Sequence, residues 1–575
     1  MTFIETELHR RVFESNRHLL VLGGPGSGKT LTALHKAYRF IGTKRLKPAQ
    51  KVLFLSFSRA AVARILHTAS TQIQIVGFSR YLAIQTFHSW FWEILKTHGY
   101  LLGSPHKLQV LAPHDEDALR QGREVNDSQW LEEREALFYD EGRVAFDLFA
   151  PLTMIVFNNS RTLREHYKQK HPLIVIDEAQ DTDAVQWECI KRVASGPQLL
   201  LLADLDQQIH DYRPDVTSER IQDIRNALNP VEIDFANLNH RNSATNINAC
   251  ARAVLNNSNL NQQFTGVSCI YYQPRANARD RKIRQSIGIL NDRIKEATGE
   301  EPANIAFLAS WGKGVRLVSN ALRGHDNQSS IAHRVQFDET ATYLSSRLIA
   351  FLMEPIKTND EQLLMQGLHL IGNLERAKGN LSEVLKYDRW YESIEDGTIP
   401  KRGKVISELL RIINEIGNSP FTGNPEVDWK FVRSLLVESN SGIIKTIGQQ
   451  AEYLMAFNRG RMISAGLTRR WQENGEYRNA RSVLDTAIVE AQIGHDIQPN
   501  HGIHVMTIHK AKGKEFDGVI LFQNDHSCPF TLPKDSKDYK RSRKLLFVGI
   551  SRARKHVILL RDVSQKCPIT GAYIF

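Results

Sequence analysis

Eight consecutive residues, Gly23-Gly24-Pro25-Gly26-Ser27-Gly28-Lys29-Thr30, have the types and spacing needed to hold a chain of phosphates. Glycines let successive backbone N–H groups curl around phosphate oxygens, and a helix starting there adds partial positive charge. Lys29 supplies a point cation for the β- and γ-phosphates, and the Thr30 hydroxyl a ligand for Mg2+. Farther along, Leu173-Ile174-Val175-Ile176-Asp177-Glu178 is an apolar run that ends in two carboxylates. Asp177 is suited to holding Mg2+, and Glu178 to orienting and deprotonating a water. A third run, Leu201-Leu202-Ala203-Asp204-Leu205-Asp206-Gln207, ends in polar groups, where Gln207 is placed to bond a γ-phosphate or its attacking water. The chemistry these groups suit is hydrolysis of ATP, with Mg2+ as cofactor.

Each of these groups needs an element to aim it. HLLVL (18–22) reads as a strand before the glycine-rich loop, and KTLTALHKAYRF as a helix after it. KVLFLSF and RAAVARILHTA repeat the pattern, so residues 1–95 read β–α–β–α and imply a parallel sheet. Residues 96–144 turn polar and acidic with no clear strand, and LIVIDE and QLLLLAD then resume the buried-strand pattern within 145–237. A second strand-bearing stretch covers 238–338 and includes ANIAFLAS. Residues 339–500 read as almost wholly helical, and strands return in 501–575 with IHVMTIH, GVILF and HVILL. The fold class expected is α/β: two α/β units, each interrupted by a largely helical insertion.

A chain of 575 residues is too long for a single hydrophobic core. The net charge of +11, from 74 basic and 63 acidic residues, favours a polyanionic partner, though modestly for this length. None of the five cysteines forms a C-x-x-C pair, which argues against a zinc ribbon or an iron–sulfur cluster. Sparse, unpaired thiols suit a reducing cytosol, so a cytoplasmic location is expected. The opening MTFIETELHRRVFES lacks an apolar signal core, and no run of 18 apolar residues suggests a membrane span.

The motifs, taken in order, resemble those of superfamily 1 helicases of the UvrD/Rep type. GGPGSGKT resembles the first motif of that family, SFSRAA (56–61) the next and TFHS (86–89) the one after. IDEAQD (176–181) resembles its Walker B motif, ADLDQQIHDYR (203–213) motif III and LNHRNS (238–243) motif IV. VMTIHKAKGKEFDGVIL (505–521) and LLFVGISRARK (545–555) resemble the long, specific motifs V and VI. The resemblance implies two RecA-like P-loop cores with the ATP site between them. It makes Arg241 and Arg552 arginine fingers, gives Glu515 to the nucleotide ribose, and puts His240 where the family stacks a tyrosine on adenine. Lys512 and Thr507 fall in the Glu515 loop without individual roles. Phe57, His88 and Tyr212 match positions that touch single-stranded DNA, where an aromatic face stacks on any base. Ser58 and Thr86 match phosphate contacts. Phe57 also suits plain core packing, and the basic run Lys534, Lys537, Lys540, Arg541, Arg543 and Lys544 suits a solvated loop as well as DNA attraction.

The chain departs from the family in three places. ELHRRVFESNRHLL has no glutamine to read adenine, His240 replaces the tyrosine, and Ala203 replaces a motif III glycine. About 20 residues follow Lys555, so a nuclease is expected to act in trans, as a separate nuclease or defence-complex subunit. The function expected is an ATP-dependent helicase or translocase on single-stranded and tailed DNA, in repair, replication or antiphage defence. Family membership implies 3′-to-5′ movement. Two rivals stand beside it: a DNA-stimulated regulatory ATPase that gates a nuclease without processive unwinding, and an RNA-directed motor.

Overall fold

The computed structural model describes the chain apart from residues 1–4, 44–45, 58, 72–79, 105, 121–122, 125, 206–218, 236–244, 259–262, 325–328, 337–339, 356–359, 378–379, 399–402, 456–457, 494–500, 525–528, 533–534, 565–566 and 571–575. The described strands, in chain order, are β1 (Leu19–Leu22), β2 (Val52–Ser56), β3 (Leu82–Thr86), β4 (Gln109–Leu111), β5 (Arg143–Ala145), β6 (Leu173–Ile176), β7 (Gln198–Ala203), β8 (Val231–Asp234), β9 (Val267–Tyr272), β10 (Asn304–Ala309), β11 (His333–Gln336), β12 (Gly502–Thr507), β13 (Phe516–Phe522) and β14 (Ala553–Asp562). They form two six-stranded sheets, ordered β3-β2-β6-β7-β1-β8 and β11-β12-β10-β13-β14-β9, and a two-stranded pair β4-β5.

Every pairing in the two large sheets is parallel. Parallel sheets are covered by helices on both faces, so their strands can be apolar throughout. QLLLLA of β7 and FDGVILF of β13 are accordingly buried along their whole length. The α/β class with parallel sheets is thus as expected. β8, within the stretch 145–237, pairs with β1 and completes the first sheet. Strands also occur where none was clear: β4 and β5 lie within the polar stretch, three residues each.

The described residues divide into two compact units. Met1–Glu93, Ala150–Phe337 and His495–Phe575 carry both large sheets, and Ile94–Phe149 with Asp338–Gly494 form a second, mainly helical unit. The two insertions, expected one in each α/β unit, therefore cluster together. Ala118 of the first segment joins the apolar core built by the second. Arg347 ties the segments ionically, pairing with Asp115 of the first and with Asp485 of the second at 2.8 Å.

The parallel arrangement decides where the expected site residues fall. The glycine loop follows β1, Phe57 follows β2, Asp177 follows β6 and Asp204 follows β7. All therefore lie along the carboxyl edge of the first sheet, where ligands bind in such folds. Glu515 and Arg552 directly precede β13 and β14, at the amino edge of the second sheet.

Candidate nucleotide site

The loop after β1 turns on two glycines with left-handed backbones, Gly26 at φ +79° and Gly28 at φ +84°. A side chain at either would be strained. At Gly23 a Cβ would lie 2.7 Å from Ser27 Oγ and 3.0 Å from Phe235 Cβ, so that position has no room for one. The loop leads into the helix Lys29–Thr43, whose first turn carries no acidic residue to compete with an anion. Ser27 is 1% exposed, and its hydroxyl has no hydrogen-bond partner among the described residues. Lys29 Nζ donates to Gly24 O at 3.0 Å and lies 4.0 Å from Asp204 Oδ2. Thr30 is the second residue of the same helix.

Glu178 has φ +57° and ψ +43°, a left-handed conformation that a glutamate adopts only when its surroundings enforce it. This turn ends β6 sharply and keeps Asp177 and Glu178 together at the strand end. Gln180 contributes to holding it there: its amide nitrogen donates to Glu178 Oε2 at 2.6 Å, and its oxygen accepts from Asp204 N at 3.1 Å. One fully buried amide thus orients the Glu178 carboxylate and joins the ends of β6 and β7.

The two carboxylates do not share one electrostatic fate. Burial, with the Glu178 charge beside it, pushes Asp177 up to about 6 against the pull of Arg64 and Lys29. Burial acts on Glu178 as well, but Lys512, Lys29, the Gln180 amide and Arg552 outweigh it and hold that group below its ordinary value. Asp181 is buried too and is pushed up to about 6, with Lys512 opposing and Glu178 adding to the rise. Lys512 pairs with Asp181 and stays charged despite its burial, because Asp181, Glu178 and Asp204 all favour its proton.

Second-sheet residues therefore meet first-sheet residues at this edge. Arg552, 2% exposed, is fixed by bonds from Nε to Val548 O and from Nη2 to Ser551 Oγ, both 3.0 Å. Its charge reaches Glu178. Arg64 Nη1 donates to Glu515 Oε1 at 2.8 Å. The helix Ile247–Leu255 lays Asn248 and Arg252, one turn apart, against the glycine loop. Asn248 Nδ2 lies 3.4 Å from Pro25 O, and Arg252 Nη2 lies 3.1 Å from where a Gly24 Cβ would be.

The expected DNA contacts are only partly within view. Phe57 packs against Phe87 with tilted rings, centroids 4.7 Å apart, and is half-buried. His88 is also half-exposed, in the first turn of the helix Phe87–His98. Thr86 is 4% exposed, and its hydroxyl caps that helix, accepting from Ser89 N at 3.1 Å and donating to Ser89 Oγ at 3.0 Å. Within the basic run, Arg543 is buried and structural, donating to Asp538 O and Val254 O, whereas Lys537, Lys540 and Arg541 are exposed. Gln207, Tyr212, His240, Arg241 and Ser58 lie outside the described residues.

Arg64, Gln180, Arg252 and the pairing of Lys512 were not assigned from sequence. Gln180 and Lys512 sit inside recognisable motifs, which gives a place but not a partner. Arg64 and Arg252 sit in alanine-rich helical stretches whose pattern carries no chemical signal.

A loop with an unpartnered buried hydroxyl and a helix start suits phosphate oxygens. The acidic strand end beside it suits a divalent cation. The donor set therefore fits Mg2+ with a nucleoside triphosphate, and the class this geometry defines is that of P-loop nucleotide-binding proteins. Comparison with known families agrees and is more specific. A model described as an AAA domain matches residues 10–213, and one described as the UvrD-like helicase C-terminal domain matches residues 502–560. The chain is 25% identical to DNA helicase II of Escherichia coli (strain K12), over 94% of its own length and 82% of that protein's. It is 20% identical to the ATP-dependent DNA helicase PcrA of Staphylococcus aureus, over 98% of its length and 84% of the relative's. A probable DNA helicase II homolog of Rickettsia conorii is 23% identical, over 98% and 94%. Together the matches make the chain similar to UvrD-like helicases of superfamily 1. Among the described residues, no helix is long and apolar enough to cross a membrane.

Proposed function

We propose that this protein is an ATP-dependent DNA helicase: a translocase that moves 3′-to-5′ on single-stranded DNA and separates tailed duplexes. The observation that carries this reading is the meeting of Lys29, Asp177 and Glu178 at the edge of one parallel sheet with Lys512 and Arg552 from the other. A nucleotide held there touches both sheets, so its binding and loss can change how they sit together. The sheets act as two RecA-like cores.

The roles rest on the resemblance of the motifs. Gly23 to Thr30 bind the triphosphate, and Thr30 and Asp177 would hold Mg2+, which when bound screens phosphate charge. Glu178, kept ionised by its cationic neighbours, accepts a proton from water. Arg552 stabilises charge on the transferred phosphoryl group, with Arg241 as a second arginine finger. Glu515 accepts a hydrogen bond from the ribose, His240 stacks on the base, and Gln207 senses the γ-phosphate. Phe57, His88 and Tyr212 stack on DNA bases, while Ser58 meets its backbone. A separate nuclease or defence subunit as partner, and repair, replication or defence as setting, remain parts of this proposal.

The test is ATPase rate with and without poly(dT), together with unwinding of duplexes carrying a 3′ or a 5′ tail. Stimulation by DNA and a preference for 3′ tails are expected. Glu178→Gln should bind ATP but turn over at least about 100-fold more slowly. ATPase indifferent to DNA, or a Glu178→Gln enzyme as fast as wild type, overturns the proposal.

A further inference from the structure

The helix Ile247–Leu255 packs its apolar face, Cys250, Ala251 and Val254, into the core of the second sheet beside Leu545 and Leu546 of the helix Lys540–Ile550. Arg543 Nη1 pins the two helices together, donating to Val254 O at 3.0 Å. Arg552 follows the second of these helices by two residues, so Arg252 and Arg552 ride on one packed body. Arg252 is exposed, and a long cationic side chain in that position ordinarily points its charge into open water. This one instead brings Nη2 against the glycine loop, 3.1 Å from where a Gly24 Cβ would stand. Lys29 Nζ reaches the same residue, donating to Gly24 O at 3.0 Å. Two cations, one from each sheet's side, thus meet at Gly24. Lys29 has Asp204 4.0 Å away, whereas among the described residues no carboxylate pairs with Arg252. In a loop of this kind the backbone amides cradle the inner phosphates and the lysine reaches the outer two. A second cation beside the residue on which Lys29 rests is therefore at the outer end, where the terminal phosphate projects from the cradle.

We infer that Arg252 is a specificity residue for triphosphates: its guanidinium bonds the terminal phosphate of a nucleotide held in the glycine loop. A guanidinium fork suits phosphate oxygens, and this bond has no counterpart once that phosphate has left. The site then tells a nucleoside triphosphate from a diphosphate through a residue carried by the second sheet, in binding and before any hydrolysis. The inference rests on the proposed reading of the loop as an ATP site. It adds a third arginine to Arg241 and Arg552, one that motif resemblance does not assign.

The experiment measures, by titration calorimetry on the full chain with Mg2+, the Kd of ADP and of the β,γ-imido analogue of ATP. The readout is the ratio of the two, compared between variants. Arg252→Met keeps the length of the side chain and removes its charge. It should weaken the triphosphate analogue by at least about tenfold, the scale of one charge-assisted hydrogen bond, and ADP by less than about threefold. Arg252→Lys, which keeps the charge, should retain more of the wild-type ratio than Arg252→Met does. Because both ligands meet the same folded fraction, the ratio is insensitive to any loss of stability in a variant. An Arg252→Met ratio equal to wild type overturns the inference, whether both affinities fall together or neither does. So does an Arg252→Lys protein no better than Arg252→Met. If wild type binds neither nucleotide, the reading of the loop as an ATP site fails, and the inference with it.

Discussion

In the helical unit, Asp428 is 2% exposed and every oxygen is used. Oδ1 accepts from Thr422 N at 2.9 Å and Thr422 Oγ1 at 2.8 Å, while Oδ2 accepts from Gly423 N at 3.0 Å and Tyr477 OH at 2.6 Å. In the two-sheet unit, Asp181 is as deeply buried; its Oδ2 pairs with Lys512, its Oδ1 has no partner among the described residues, and the Glu178 and Asp204 carboxylates favour its proton. Asp428 is a buried charge fully satisfied, which specifies a structure. The two-sheet site buries Asp177, Asp181 and Asp204 beside Lys512 and Arg552, with an Asp181 bond left unmade, which suits a site that completes itself with a cation and a polyanion.

The contrast can be broken most severely at Arg552. Arg552→Ala should lower kcat by about 10³-fold with DNA binding nearly intact, as for an arginine finger. A loss confined to KM, read from steady-state ATPase curves, would make it a ground-state binder. The helical unit should respond in stability instead. Asp428→Ala strands two backbone N–H groups and the Tyr477 hydroxyl and should cost about 3 kcal/mol. Urea unfolding should show this while ATPase per folded molecule stays near wild type. A proportional fall in ATPase would mean that the units do not divide structure from chemistry in this way.

The smallest effect concerns acid. Among the described residues every buried histidine, His9, His171, His504 and His556, belongs to the two-sheet unit. Burial lowers His171, His504 and His556 to about 4 from the ordinary 6.5. Each imidazole takes a proton more readily unfolded than folded, so unfolding is favoured by protons between these values. The stability that the neutral rings contribute is whole above about pH 6.5 and is lost as pH falls toward 4. Hydrogen exchange should show the two-sheet unit loosening over that range before the helical unit does, and His504→Phe should shallow the trend. An unchanged slope in that variant would remove His504 from the account.

Much of the site was legible because its residues follow strands. Buried parallel strands announce themselves as apolar runs, and residues after β1, β6 and β7 share an edge as soon as the sheet is parallel. Asp177 and Lys29 could be paired on that ground alone. The structural roles of Gln180, Arg64 and Arg252 could not, since each depends on a contact made across the sheet or between sheets. Thr86 shows a different limit: a motif hydroxyl expected to face a phosphate is occupied by the cap of its own helix, a local bond that resemblance does not reveal. The union of the two insertions was hidden too, because Ala118 and Arg347 meet partners far away in the sequence.

That union sets an order on how the molecule can be made. Ile94–Phe149 finds its neighbours only once Asp338–Gly494 exists. At ordinary rates of synthesis the intervening stretch of roughly 190 residues takes about 10–40 s, during which the first segment waits with its apolar side uncovered. The second sheet waits longer. β10 is flanked by β12 and β13, both made after the whole helical segment, so its central strand stays unpaired until nearly all the chain has emerged. Contacts so distant in sequence fold slowly and expose strand edges meanwhile. A chain assembled this way depends on whatever shields those edges during synthesis more than a chain of the same length with its domains in series.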